Sequence, residues 1–124
     1  MTDLVNIALM IATIAFGLIG WLAPGYTMDK LGLLCRPGTT LGMSEIRAAN
    51  GGLFVGLAGA ALLIGAPLGY AMVGFAYAGA ALGRLTSFVI DKSGERIAYA
   101  FVATEILFAG WLILANTGAA DTAV

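Results

Sequence analysis

Residues 68–115 read LGYAMVGFAYAGAALGRLTSFVI, then DKSGER, then IAYAFVATEILFAGWLILA. Each apolar run approaches or exceeds the roughly 20 residues that span a bilayer's hydrocarbon, and each carries one charge, Arg84 in the first and Glu105 in the second. The turn between them, Asp91-Lys92-Ser93-Gly94-Glu95-Arg96, is polar throughout, with Ser93 placed to cap the second run. A helix apolar on all sides has no face to turn to water, so this hairpin reads as two spans in lipid joined by a loop outside it.

The same punctuation continues toward the N-terminus. Gly65-Ala66-Pro67 makes a tight connection back to a run that starts at Ser44 and reaches Ile64. Ser44 is a good N-cap residue, and Glu45 follows where a helix N-terminus favours negative charge. The first run, Leu4 to Ala23, ends at Pro24-Gly25; it has Asp3 instead of a basic leader and no small-residue cleavage site, so it reads as a retained span, not a secretory signal. Between spans one and two, Met28, Leu31 and Leu34 recur at helical spacing opposite Asp29, Lys30 and Arg36, the pattern of a helix lying in the interface. The expected fold is an all-α integral membrane protein: a single membrane domain over 1–124, a four-transmembrane-helix bundle with spans near 4–23, 44–64, 68–90 and 97–115, a short interfacial helix between spans one and two, and a small polar tail, 116–124.

Composition narrows function. Of 124 residues 60% are hydrophobic and 10% charged, against about 25% charged in soluble domains. The absence of histidine removes the usual ligand for haem, copper and catalytic zinc, and one cysteine, Cys35, excludes an internal disulfide or a CxxC redox pair. No metal site and no cofactor are expected, no nucleophile and base pair suggests catalysis, and a net charge of −1 gives no reason to expect nucleic acid as a partner. Membrane lipid is the implied partner, with other membrane proteins or further copies of the chain beside it. Lys30, Arg36, Lys92 and Arg96 all fall in the first and third loops, which the positive-inside rule places in the cytoplasm; both termini are then periplasmic, in a bacterial inner membrane.

Two features mark residues inside the spans. Small residues allow close helix approach in lipid, and the rows Gly52, Gly56, Ala60 and Gly79, Gly83 are the expected helix contacts, within the chain or between copies. Intramembrane charge is costly unless paired or hydrated. Arg84 and Glu105 lie roughly 10 to 13 Å below the same membrane face at 1.5 Å per residue, on adjacent antiparallel helices. Ser87 and Asp91 follow Arg84 on one face, and Glu45, Arg47 and Asn50 open the second span on the same side. Two readings of this cluster stay open: a pocket for a polar or anionic head, with Glu105 titratable, or an ion-paired knot that fixes helix register while the arginines snorkel.

The segments Ser44-Glu45-Ile46-Arg47-Ala48, Gly51-Gly52-Leu53 and Gly83-Arg84 with Ser87 and Asp91 resemble a family of small bacterial four-span proteins, domain of unknown function 4345. The resemblance covers nearly the whole chain and implies a four-helix inner-membrane protein; it carries no catalytic residues. A likeness to small multidrug transporters is one of size only, since the first span holds no acidic residue beyond Asp3. The expected function is therefore a non-enzymatic accessory, assembly or amphiphile-binding protein with a polar cluster in its cytoplasmic half. The alternative is a small oligomeric proton-coupled transporter using Glu105.

Overall fold

A computed structural model describes residues 1–121, the last three as backbone only. In chain order it has α1 (Thr2–Leu22), α2 (Pro24–Leu31), α3 (Leu41–Glu45), a π-helical segment (Ile46–Gly52), α4 (Leu53–Ile64), α5 (Pro67–Ile90) and α6 (Arg96–Asp121), with no strand among the described residues. Four stretches are long and apolar enough to cross a membrane: Thr2–Leu22, Leu41–Ile64, Pro67–Ile90 and Arg96–Gly118. Leu63, Val89, Leu107 and Leu114 are each more than 70% exposed, whereas Asn6, Thr13, Glu105 and Asn116 are buried. Large aliphatic side chains on the outside and polar ones within are stable where the solvent is hydrocarbon.

The chain divides into two compact units, residues 3–63 and residues 64 onward. In the first, Pro24 ends α1 because it offers no N–H to the carbonyl one turn back, and it then serves as a first-turn residue of α2. α2 is the short helix expected between spans one and two. It closes one turn sooner than the spacing of Leu34 suggests, because Gly32 adopts φ 67° and accepts the left-handed turn; Met28 is buried and Leu34 almost fully exposed. The next helix begins at Leu41, not Ser44. Thr39 accepts a hydrogen bond from the Leu41 N–H through Oγ1 at 3.1 Å, so the Thr39-Thr40 turn starts the helix and Ser44 lies inside it.

Unit one closes through glycine. A Cβ at Gly20 would stand 2.5 Å from the Asn50 carbonyl oxygen, one at Gly51 2.5 Å from the Trp21 nitrogen, and one at Gly17 3.0 Å from the Gly51 carbonyl oxygen. Backbone therefore lies on backbone where α1 crosses the π segment. The three glycines that make this crossing possible, Gly17, Gly20 and Gly51, lie outside the rows expected from sequence.

In unit two, Gly65 at φ 63° and Pro67 at the start of α5 make the tight connection that the sequence suggests. α5 and α6 pair antiparallel along their length. Gly74 meets Leu112 and Ile113, where a Cβ would be 2.8 Å from the Leu112 Cβ. Tyr77 and Phe108 pack edge to face with centroids 5.2 Å apart, Arg84 meets Glu105, and Phe88 lies on Tyr99 at 4.9 Å. Ser93 does not cap α6. Lys92 sits at φ 54°, Ser93 turns back onto Ser87 of α5, and α6 opens with the Ala98 and Tyr99 N–H groups on the Glu95 carbonyl. α6 also continues past Ala115 to Asp121, so Asn116 is a buried helical residue, its Nδ2 donating to the Leu112 carbonyl at 2.8 Å. Of the tail expected at 116–124, residues 116–121 are therefore helix, and 122–124 lie outside the described residues.

Within their own units, the rows Gly52, Gly56, Ala60 and Gly79, Gly83 make no close helix contact. A Cβ at Gly56, Gly79 or Gly83 meets nothing within 4 Å, one at Gly52 meets only the carbonyl of its own Arg47, and Ala60 is exposed. Four-residue spacing marks a face, but the π segment and the actual crossings decide which face turns inward.

Candidate functional site

Arg84, six residues before the end of α5, and Glu105, nine residues into α6, meet across the antiparallel pair. The guanidinium donates from Nε to Oε2 at 3.0 Å and from Nη2 to Oε1 at 2.8 Å, a bidentate fork on one carboxylate. Glu105 is 8% exposed and the Arg84 side chain 31%, so the acid is enclosed and the base reaches outward. Phe101, one turn before Glu105 on α6, lies beneath the guanidinium with its centroid 5.0 Å from Cζ. An arginine has five N–H bonds; with two on Glu105, three remain to donate elsewhere.

Beside this pair opens a cleft of about 310 Å³. Ala80, Gly83 and Ala98 give it small walls, Phe88 an aromatic one, and Arg84, Ser87 and Ser93 its polar groups. The Ser87 and Ser93 hydroxyls share one hydrogen bond at 3.0 Å, which leaves the pair one O–H free to donate. The cleft can therefore hold a polar head by hydrogen bonding. It contains no nucleophile with a base in reach, and no cluster of metal-ligating side chains occurs among the described residues.

The other residues singled out from sequence have separate placements. Asp91 ends α5, exposed, with its N–H on the Ser87 carbonyl at 2.9 Å. In unit one, Glu45 and Asn50 are exposed, and the Asn50 carbonyl is the group closest to Gly20. Arg47 turns its Nη1 onto the carbonyl of Trp21, at the C-terminal end of α1, where a cation complements the helix dipole. Its side chain is thus engaged in closing unit one. Ser93, Phe88 and Phe101 are the site residues that sequence reasoning missed. Phe101 carried a legible signal, four residues before Glu105 and so on its face; Ser93 was hidden by its fitness as a cap.

The family model for Domain of unknown function (DUF4345) matches residues 1–116. The chain belongs to this family. The DUF4345 match takes in both units and every residue of the cleft, from Ala80 to Ala98, together with Phe101 and Glu105. No curated protein and no solved structure matches the chain.

Proposed function

We propose that this DUF4345 protein is a non-enzymatic membrane protein that holds the polar head of an amphiphile at the polar-loop end of α5 and α6. The observation that carries this reading is the cleft beside the Arg84–Glu105 pair, lined by a guanidinium that a buried carboxylate fixes through two of its five N–H bonds. A knot that served register alone would leave no reason for an adjoining cavity with a hydroxyl pair on its wall. The transport reading fares less well, because a carrier that titrates Glu105 must release it from a two-bond fork at every turnover. In this reading the two units form one membrane domain in a bacterial inner membrane. Its charged loops, with Lys30, Arg36, Lys92 and Arg96, face the cytoplasm, and its termini the periplasm.

Mild native purification followed by mass spectrometry tests the proposal: a lipid-sized mass should stay with the wild-type chain and be depleted in Arg84→Gln. If the protein emerges free of amphiphile and, reconstituted in vesicles, shows Glu105-dependent solute flux driven by a proton gradient, the transporter reading replaces it. Reporter fusions at either terminus should be active only outside the cytoplasm; cytoplasmic activity would reverse the orientation.

A further inference from the structure

We infer that the cleft beside Arg84 takes an uncharged lipid head bearing carbonyl oxygens, as a prenyl quinone or an acylglycerol presents them, and disfavours an anionic headgroup. The inference rests on the amphiphile reading and narrows it by charge, hydrogen-bonding capacity, depth and shape.

The charge of the site is already balanced. Arg84 spends its fork on Glu105, and an incoming anion would share that guanidinium with a carboxylate held beside it, two like charges in a site of low dielectric. A neutral acceptor meets no such repulsion. The hydrogen-bonding groups that remain are chiefly donors: three N–H bonds on Arg84 and one O–H from the Ser87 and Ser93 pair. The complementary head offers acceptors and need bring no proton. Carbonyl oxygens on a ring or an ester meet that description.

Depth points the same way. Arg84 lies six residues inside the end of α5, about 9 Å at 1.5 Å per residue, which is below the level of the loop that holds Asp91 and Lys92. Lipid phosphates gather at the loop level, while ester carbonyls and quinone rings lie beneath it. Phe88 on the cleft wall offers aromatic surface to a flat head, and Phe101 supports the guanidinium from beneath. The cleft also has an exit for a tail. Gly83 is part of the wall and Gly79 lies one turn deeper on the same face, and a Cβ at either position meets open space. With no side chains at these positions, the surface of α5 beyond the cleft is open to a tail.

The test uses the full chain in phosphatidylcholine nanodiscs. A decyl-chain benzoquinone, dioctanoylglycerol and phosphatidylglycerol are added separately, with bound mass read by native mass spectrometry and thermal stability measured in parallel. The wild type should bind the quinone or the glyceride, and whichever binds names the source of the carbonyls. Gly83→Leu, which fills the cleft where a side chain meets nothing, should weaken binding about tenfold or more, equivalent to about 1.4 kcal/mol, while the ligand-free melting temperature stays near wild type. Ser87→Ala should weaken it less, and Gly56→Leu, an equally open glycine in unit one, should bind as wild type. Preferential binding of phosphatidylglycerol, or unchanged binding in Gly83→Leu, overturns the inference. If neither neutral probe binds but another lipid remains bound in a Gly83-dependent way, this inference fails and the amphiphile reading survives; if no amphiphile is retained, both fail.

Discussion

Breaking the Arg84–Glu105 pair from its two sides should give unequal losses. Removing Arg84 leaves a carboxylate that is 8% exposed among Phe101, Val102 and their neighbours, and removing one partner of a buried pair costs about 3 to 5 kcal/mol. Removing Glu105 leaves a guanidinium whose side chain is already 31% exposed and six residues from the helix end, so it can straighten toward the interface. Arg84→Gln should therefore cost about 3 kcal/mol and Glu105→Gln about 1 to 2 kcal/mol, the range for a lost charged hydrogen bond without a stranded ion. The double variant has neither charge to strand, and its loss should fall below the sum of the singles by about 1 to 3 kcal/mol. Reversible unfolding in mixed detergent, followed by circular dichroism, gives all three values. Equal single losses, or strict additivity in the double variant, would refute the assignment of the pair as one enclosed unit with a buried acid and an outward base.

Gly51→Ala should destabilise by about 1 to 3 kcal/mol, because its Cβ would stand 2.5 Å from the Trp21 nitrogen and must push two backbones apart. Gly56→Ala, with open space at the same atom, should be neutral or stabilising by up to about 1 kcal/mol through helix propensity; the same unfolding assay ranks the two. Arg47→Met should lower stability by up to about 1 kcal/mol through loss of the cation at the end of α1, and should leave retention of amphiphile unchanged in native mass spectra. Lys92→Gly should stabilise by about 1 kcal/mol, since only glycine takes φ 54° without a steric cost; a lowered melting temperature would contradict that account of the turn.

The spans were legible because hydrophobicity and punctuation coincide: Pro24, Pro67 and the charged turn from Asp91 to Arg96 interrupt runs that need no partner to be recognised. The Arg84–Glu105 contact was legible for a similar reason, as equal distance from a shared turn places two residues at one level on antiparallel helices. Direction about the helix axis was not. Gly79 and Gly83 share a face, as their spacing requires, yet that face is open, while Gly74 meets Leu112. Nothing in the local spacing distinguishes a glycine that admits a neighbouring helix from one that leaves open surface. Ser44 and Ser93 misled because capping ability is a property of a residue type, whereas the cap is chosen by where the preceding turn ends, at Thr39-Thr40 and at Lys92. Arg47 was placed with the polar cluster by its charge, but its length lets it reach back to the carbonyl of Trp21.

The π-helical segment at Ile46–Gly52 acts as a phase dislocation in the second span. Each helical residue advances the face by about 100°, and a π turn accommodates one residue more than an α turn does. The segment thereby takes up one residue without turning the helix beyond it: from Leu53 onward each residue faces as the one before it would in an uninterrupted α-helix. Deleting a single residue between Arg47 and Asn50 would let the span run as uninterrupted α-helix, with no break in its hydrophobicity or length. Because the π turn absorbs that extra residue, Ala58 and Ala61 would keep their direction, and the loss would be confined to the widened turn that sets Gly51 against Trp21. A residue deleted from the π segment would thus leave the faces on either side in place, whereas one deleted from Leu53–Ile64 would turn the rest of that helix by about 100°.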